Sequence, residues 1–404
     1  MSNEELLALK SFKRRLLLPV LLLGHFLITT FTVSLGVLLV DVSSSFKVSI
    51  GTASQLSTLT LVTGLFMGFA MGILAIRFRH KALFLFGTVT YSVGALGCFY
   101  APNFPTMLIT QLFFGIGAPM VSVMIFALIG EFFPLQNRGS MMGLVWSTTY
   151  FAFATVAPLA GFIANIAGWR SILLWFIFPT AIACLIAGWL VIPSTLHHPQ
   201  ASGKSPYLEA FKRILSNKSA MACVVSTALL FFFATIPTYV ATFYRVDFGL
   251  PRGTVALFAI PPAVGGIFGA AIGGRLVNRY GRKPLTVTAA FISGVLAVLF
   301  AFMSNVWVAF ALQTLSASFA AVAVTGLYSL ILEQIPEFTA SMMSVNGSFR
   351  YIGGILGVAV GGLVLNSFGN NFQILMPIFA ASNIALAPIV IFFAKDPTKP
   401  PSVV

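Results

Sequence analysis

Apolar residues in this chain gather in long runs, and short polar segments separate one run from the next. An α-helix needs about 20 consecutive apolar residues to cross the hydrocarbon core of a bilayer. A strand of a membrane β-barrel would instead alternate apolar and polar positions over about 10 residues. Twelve runs reach the helical length, and they cover residues 16–40, 55–76, 83–100, 107–133, 141–166, 171–191, 220–244, 255–277, 285–303, 306–332, 342–365 and 372–394. The pattern predicts an all-α integral membrane protein with twelve transmembrane helices.

The composition points to the same class of protein. Of the 404 residues, 58% are hydrophobic and only 8% are charged. A soluble domain carries roughly 25% charged residues, so this chain cannot cover itself with a polar surface. We therefore expect a multi-pass protein in contact with membrane lipid, and we expect it to be a monomer.

The net charge of +14 indicates topology rather than a nucleic-acid partner. Eighteen of the 23 Lys and Arg residues fall on one side of the predicted membrane, four fall on the other, and Arg350 lies inside a run. Cytoplasmic loops of membrane proteins carry such an excess of basic residues. The bias places both termini in the cytoplasm and favours the cell membrane as the location.

The chain repeats itself at an offset of about 202 residues. The repeated segments are residues 72–81 and 274–283, residues 131–134 and 333–336, and the pairs Met141-Met142 and Met342-Met343. A nearly constant offset over several elements indicates duplication of one structural unit. We predict two pseudo-symmetric six-helix bundles, residues 1–192 and 220–404. An even number of spans makes the halves parallel, related by a two-fold axis along the membrane normal.

The long connection between the halves, residues 193–219, is predicted to be a cytoplasmic linker. Apolar residues recur in it at helical spacing beside basic ones, which predicts a short amphipathic helix on the membrane surface. These apolar residues are Tyr207, Leu208, Phe211, Ile214 and Leu215. The pair His197-His198 lacks a nearby third ligand, so we expect a solvated linker there and no metal site.

Neither the cysteines nor any phosphate-binding motif in the sequence indicates a cofactor. The chain has three cysteines, Cys98, Cys184 and Cys223, and each falls in a different apolar run. We interpret them as small hydrophobic residues without a disulfide or metal framework. No nucleotide-binding loop is present, which excludes a pump driven by ATP hydrolysis.

Two ionisable residues lie deep inside predicted spans. His25 is nine residues into the first span and Arg350 is eight residues beyond Met342, which places each roughly 12 to 13 Å deep at a rise of about 1.5 Å per residue. Such residues are costly in the membrane and therefore call for an explanation. His25 either lines a solute cavity or forms a structural hydrogen bond to a neighbouring helix. Arg350 either rests on backbone carbonyls or binds an anion or acts in gating.

None of the nine acidic residues lies in the middle of a predicted span. They are Glu4, Glu5, Asp41, Glu131, Glu209, Asp247, Glu333, Glu337 and Asp396. A transporter of organic cations usually needs a buried carboxylate, so its absence favours a neutral or anionic solute. Only His25 and Asp41 remain as candidate carriers of a coupling proton, and coupling itself stays open.

Further polar and aromatic residues of the spans complete a candidate solute site. Thr29 and Thr32 share a helix face with His25, and Trp146 and Tyr150 lie one helical turn apart. The other candidates are Gln111, Tyr239, Gln313, Asn346 and Tyr351. For each of these residues ordinary packing between helices is the alternative interpretation.

The two copies of the repeated loop resemble the signature of the major facilitator superfamily, Gly-x-Leu-Ala-Asp-Arg-x-Gly-Arg-Lys. The second copy matches at Gly274, Leu276, Arg279, Gly281, Arg282 and Lys283, with Asn278 in the Asp position. The first copy keeps Gly72, Leu74, Arg77 and Lys81, with Ile76 in the Asp position. The segment Ala157-Pro158-Leu-Ala-Gly161 resembles part of a motif typical of exporters. The resemblance covers essentially the whole chain and is greatest to the twelve-helix drug and metabolite exporters.

The basic loops also predict a charge latch that closes one side of the bundle. We expect Arg77 or Lys81 to pair with Glu131, and Arg279 or Arg282 to pair with Glu333, and we count Arg138 among the latch residues. The alternative is that these cations only set topology. Since neither copy has the family's Asp, we expect a latch weaker than is usual in the family.

These features favour a secondary active transporter that exports a drug or metabolite by alternating access. An uptake permease or facilitator for an organic anion is an open alternative, as is a transporter-like sensor or scaffold without flux. A membrane-embedded enzyme is disfavoured, because the acidic residues offer no carboxylate cluster for Mg²⁺ and no buried acid–base pair.

Overall fold

The computed structural model describes residues 3–48, 50–193, 206–250, 254, 257–368 and 371–396, and these residues form helices and short connections. The helices are α1 (Asn3–Ser45), α2 (Ile50–Ala53), α3 (Gln55–Arg77), α4 (His80–Tyr100), α5 (Phe104–Phe132), α6 (Leu135–Ala167), α7 (Phe178–Val191), α8 (Pro206–Ser216), α9 (Lys218–Phe233), α10 (Ile236–Val246), α11 (Ile260–Tyr280), α12 (Arg282–Ala301), α13 (Val306–Ile331), α14 (Thr339–Ser367) and α15 (Phe372–Phe393). No β-strand occurs among them.

Twelve spans within the described helices are long and apolar enough to cross a membrane. They are Leu16–Ser45, Gln55–Arg77, His80–Tyr100, Phe104–Phe132, Leu135–Ala167, Leu173–Val191, Lys218–Val246, Ile260–Tyr280, Arg282–Ala301, Val306–Ile331, Pro336–Leu365 and Phe372–Phe393. The predicted all-α membrane fold with twelve transmembrane helices is confirmed. The predicted amphipathic helix corresponds to α8, whereas residues 194–205 of the linker, including His197 and His198, lie outside the described residues.

Prolines modify two of the spans. The seventh span is divided into two helices. Helix α9 ends at Phe233 and α10 begins at Ile236, so Ala234 and Thr235 separate them just before Pro237. The sixth span begins with a π-helical turn, Leu173–Ile177, in which Phe178 N–H bonds the carbonyl of Leu173. Pro179 follows at the start of α7, and a proline removes one backbone donor and crowds the carbonyl four residues earlier.

Asparagine side chains begin four of the helices. Asn103, Asn217, Asn305 and Asn371 each accept a hydrogen bond from a backbone N–H in the first turn of the helix that follows. An N-cap residue satisfies a donor that the helix itself leaves unpaired. The asparagines in these short polar segments therefore fix the residues at which four of the apolar runs become helical.

The described chain divides into two compact units by its internal packing. Unit 1 contains Met1–Phe133, Thr155–Phe211 and Met343–Ser348. Unit 2 contains Pro134–Ala154, Lys212–Met342 and Phe349–Val404. Helices α6 and α14 thus contribute to both units. The domain boundaries predicted from the repeat, at residues 192 and 220, stay a prediction.

Each unit has an aromatic core of its own. In unit 1 the rings of Phe31 and Phe114 stack with centroids 3.6 Å apart, and Tyr91 meets Phe114 edge to face at 4.7 Å. In unit 2 Phe243 packs against both Phe300 and Phe372, with centroids 5.6 and 5.7 Å away. Rings packed in this way stabilise a helical bundle by dispersion and by edge-to-face attraction.

Candidate functional site

The most unusual side chain of unit 2 is Arg350, a cation at the middle of the 30-residue span Pro336–Leu365. It is half-buried on helix α14. Its guanidinium carbon lies 4.7 Å from the ring centroid of Tyr351 and 5.7 Å from that of Phe231. Both distances are within the range of cation–π attraction. The ring contacts come from α14 itself and from α9, so two helices hold the guanidinium in place.

The guanidinium of Arg350 has no hydrogen-bond acceptor and no ion-pair partner in the described part of the chain. Whether Arg350 is a structural residue or binds an anion stays a prediction. An arginine stays charged under all conditions met by proteins, and its five N–H donors lie in one plane. Donors without an acceptor at mid-span are costly, so the position is suited to an acceptor that arrives from outside the protein.

Aromatic rings extend from Arg350 into the interior of unit 2. Phe231 lies 5.9 Å from Trp146, centroid to centroid, and Trp146 meets Tyr328 edge to face at 4.7 Å. Trp146 is 5% exposed and Tyr328 is 2% exposed, whereas Phe231 is half-buried. We call Trp146, Phe231, Tyr328, Arg350 and Tyr351 the arginine–aromatic cluster.

Two members of this cluster, Phe231 and Tyr328, were missed in the sequence. Phe231 stands in a run of three phenylalanines, and Tyr328 stands in an apolar span. An aromatic residue at either position is ordinary for an apolar span, whether it faces lipid or the core. Only the packing of α6, α9, α13 and α14 reveals that their rings join Trp146 to Arg350.

The other predicted solute-site residues of unit 2 are engaged elsewhere. The Tyr239 hydroxyl donates to the carbonyl of Val358 at 2.8 Å, and the Gln313 amide oxygen accepts from Tyr244 at 2.9 Å. The ring of Tyr150 lies against Gly266, where even a methyl group would not fit. Their roles in binding a solute stay predictions.

In unit 1, His25 is 3% exposed and its ring meets Phe126 edge to face at 6.3 Å. Thr29, one turn later, donates its hydroxyl to the His25 carbonyl at 2.9 Å, and Thr32 is exposed. The amide of Gln111 donates to Cys98 Sγ and to the Met107 carbonyl, and it accepts from Thr60. Gln111 is thus satisfied by its neighbours, as ordinary packing between helices predicts.

Asn346 is a fully buried amide of unit 1. It is 0% exposed, and neither its amide nitrogen nor its oxygen has a hydrogen-bond partner among the described residues. It lies on the segment of α14 whose Ser344 hydroxyl bonds the carbonyl of Gly68 on α3. An unsatisfied buried amide costs about 1–3 kcal/mol, so this position is energetically unfavourable in the present conformation.

At one end of unit 2, three charged side chains predicted for the latch come together. Arg138 Nη1 donates to both carboxylate oxygens of Glu333, at 2.8 and 2.9 Å. Arg282 Nη2 lies 3.7 Å from Glu333 Oε1, so one of the two pairs predicted for this glutamate is present. Glu333 and Arg282 are only 5% and 4% exposed. The Nε and Nη1 atoms of Arg282 are buried and have no hydrogen-bond partner in the part of the chain that the structure describes.

Unit 1 has a different arrangement at its copy of the loop. Glu131 Oε2 lies 3.2 Å from Nδ1 of His80, a partner that the sequence analysis did not predict. Lys81 Nζ donates to the carbonyl of Trp189 at 2.5 Å, and Arg77 lies over the ring of Phe78 at 5.9 Å. The Glu131 carboxylate is one-third exposed, so this pair is more open to solvent than that of Glu333.

The remaining motif residues of the second loop copy make contacts within unit 2, and their part in a latch stays a prediction. The Asn278 amide donates to the hydroxyl of Ser140 at 2.9 Å, and Lys283 Nζ donates to the carbonyls of Ile391 and Ala394, both at 2.8 Å. Gly281 ends α11 with a φ of +95°, a conformation that side chains disfavour. Arg279 is exposed beside Tyr280.

The motif glycine Gly274 marks a close crossing of α6 and α11. A Cβ at this position would lie 2.6 Å from the carbonyl oxygen of Gly139 and 3.0 Å from the Cα of Gly143. Both are backbone atoms, which cannot move aside as a flexible side chain would. Gly72 in the first copy is also crowded, since a Cβ there would lie 2.7 Å from the ring of Phe211.

We expect Gly274→Val to destabilise unit 2 by roughly 1–3 kcal/mol, because overpacking forces the two helices apart. Thermal unfolding of the purified protein in detergent measures this effect. Gly161→Val is the matched control, since a Cβ at Gly161 of α6 meets no atom within 4 Å. An equal loss of stability in both variants would show that the effect comes from the helix propensity of valine rather than from crowding at the helix crossing.

Comparison with known proteins identifies the family. The sequence model of the Major Facilitator Superfamily matches residues 21–273 and 245–404. The MFS-type transporter YhcA of Bacillus subtilis is 32% identical over 172 residues, which are 42% of this chain and 32% of that protein. The hexuronate transporter of Bacillus subtilis is 24% identical over 330 residues, 74% of this chain and 76% of that protein. The match to YhcA thus spans about a third of that relative's length.

A solved structure shows that the fold is shared over nearly the whole chain. The proton:xylose symporter XylE, bound to 6-bromo-6-deoxy-D-glucose, superposes with a TM-score of 0.80. It is 15% identical in sequence, and the match covers 96% of this chain and 97% of that one. The family match and the twelve spans lead to one conclusion. The chain belongs to the Major Facilitator Superfamily.

Proposed function

We propose that this protein is a secondary active exporter of a small organic solute that is neutral or anionic, and that it works by alternating access. The family and fold are those of transporters, and the sequence contains no nucleotide-binding loop. The observation that carries the solute class is Arg350, a permanently charged guanidinium at mid-span without an acceptor in the described residues.

The electrostatics of the spans support this solute class. The acidic residues lie outside the middle of the spans, so no carboxylate there neutralises Arg350. Attraction between charges is screened far less in a low-dielectric interior than in water. An anion or an acceptor-rich neutral solute is therefore attracted to this position, and an organic cation is repelled.

Export is favoured by the segment around Pro158. Ala157-Pro158 and Gly161 resemble part of the exporter motif, and Pro158 lies inside the continuous helix α6. We further propose a cell-membrane protein with both termini in the cytoplasm, two bundles divided at the linker, and a charge latch formed by the loop residues. The basic residues that gather on one side support this orientation.

Uptake of an organic anion is the second candidate function. It is favoured by the relative named hexuronate transporter, which aligns with 74% of this chain. A proton is the candidate coupling ion for either direction, with His25 and Asp41 as its candidate carriers.

Flux into membrane vesicles of opposite orientation tests the function and its direction. We expect everted vesicles from cells that express the protein to accumulate the solute when a proton gradient is imposed, and right-side-out vesicles to accumulate little. The solute panel contains matched anions, neutral compounds and lipophilic cations, and vesicles from cells without the gene are the control. Accumulation in right-side-out vesicles alone would establish uptake, and preferred transport of cations would contradict the solute class.

A further inference from the structure

We infer that the solute is a planar aromatic carboxylate, with its carboxylate on Arg350 and its ring against the rings of Phe231 and Tyr351. The inference rests on the proposed function, because it narrows the solute class of that same site. It starts from the composition of the arginine–aromatic cluster, in which two rings lie beside one cation and two further rings, Trp146 and Tyr328, continue from Phe231.

The geometry of Arg350 favours a carboxylate over other anions and acceptors. The two ring contacts hold the guanidinium, and its planar donors remain without an acceptor in the described part of unit 2. Two parallel N–H groups match the two oxygens of a carboxylate, which gives a bidentate contact. Arg350 is half-buried, so its guanidinium is not fully enclosed by the core of unit 2.

The rings beside Arg350 favour an aromatic body over an aliphatic one. Phe231 is half-buried and stands between the guanidinium and Trp146, with its ring in contact with both. If the carboxylate of a solute binds Arg350, the ring attached to that carboxylate packs against the rings of Phe231 and Tyr351. An aromatic pair contributes roughly three- to tenfold in affinity beyond the area that it buries.

The cluster fits a polyhydroxylated solute poorly. Such a solute offers many hydroxyl groups, each of which needs a polar partner when it leaves water. Beside the guanidinium, the cluster presents mainly ring carbon, and the Tyr239 hydroxyl and the Gln313 amide oxygen are already bonded within unit 2. The structure therefore assigns the position to a ring with one anionic group.

Binding of matched ligands to the purified full-length protein tests the inference by titration calorimetry in detergent. The probes are benzoate and 2-naphthoate, their saturated counterparts cyclohexanecarboxylate and decahydro-2-naphthoate, and the neutral amide benzamide. We expect the saturated acids to bind roughly three- to tenfold more weakly than the aromatic ones. Benzamide should bind at least about tenfold more weakly than benzoate, because the charge-assisted contact is lost.

A variant pair assigns the ring preference to Phe231. Phe231→Leu should reduce the ratio of affinities for the aromatic acid and its saturated counterpart from roughly three- to tenfold to about one, whatever the absolute affinity of either acid. Phe291→Leu is the control, because Phe291 is 49% exposed on α12 and lies outside the cluster. The ligand comparison in the unchanged protein stands without the variants, so poor folding of Phe231→Leu does not decide the outcome.

Failure of the inference and failure of the proposed function give different results. If aromatic and saturated acids bind equally and both are transported, the aromatic inference is wrong and the transport of anions stands. If none of the acids binds while lipophilic cations bind and are transported, both are wrong.

Discussion

Replacing Glu333 with glutamine is expected to reduce the free energy of unfolding by about 3–5 kcal/mol, the cost of removing one partner from a buried ion pair. Glu333 receives two hydrogen bonds from Arg138 and is the only ion-pair partner of Arg282 within 4 Å in the described residues. Arg282 is 4% exposed, and two of its nitrogen atoms already lack hydrogen-bond partners among the described residues. Without the carboxylate, two cations would remain close together with no charge between them.

Thermal unfolding of the variant in detergent measures this loss as a lower midpoint. Glu337→Gln is the matched control, because its pair with Arg213 at 2.6 Å has side chains that are 57% and 53% exposed. Exposed pairs contribute about 0–1 kcal/mol, so the control should unfold close to the unchanged protein. Similar midpoints for Glu333→Gln and Glu337→Gln would show that the Glu333 pair contributes little.

Glu131 provides a comparison within the same protein. It is the repeat counterpart of Glu333, but it is one-third exposed and contacts His80. The two copies of one loop have thus diverged in chemistry as well as in sequence. If a latch operates, the copy in unit 2 holds the stronger charge interaction.

The fold could be predicted from the sequence because the bilayer imposes a simple rule on length. Each span needs a run of apolar residues, and the runs from residue 16 to residue 394 are visible without any alignment. The ends of the helices were less predictable. The division between α9 and α10 follows from local bonds around Thr235 and from Pro237, which the apolar run as a whole conceals.

The candidate site could be predicted from the sequence only where a residue's chemical type is unusual for its surroundings. Arg350 was detectable because a cation inside an apolar run needs an explanation, and the loop cations were detectable because they repeat. Phe231, Tyr328 and His80 gave no such signal. Aromatic residues are common in spans, and a histidine beside basic loop residues is unremarkable until packing places it against Glu131.

Replacing Arg350 with alanine is expected to abolish transport of an anionic solute. The variant removes the cation of the arginine–aromatic cluster, and hydrogen bonds to charged groups contribute about 1.5–3 kcal/mol each. Because the guanidinium has no acceptor among the described residues, its removal breaks no hydrogen bond to them and costs only the two ring contacts. We therefore expect the variant to fold normally, and its loss of transport to report lost binding rather than misfolding.

Arg350→Lys distinguishes the shape of the cation from its charge. Lysine keeps the charge but replaces a planar two-donor contact with a single ammonium group, so the KM for an anion should rise roughly tenfold or more. Arg275→Ala is the control for the loss of one cation, since Arg275 is exposed near the end of α11. Initial rates in vesicles, normalised to the amount of folded protein, measure all three variants. Normal anion transport by Arg350→Ala would make Arg350 a structural residue, and the cavity would then have to select its solute by other groups.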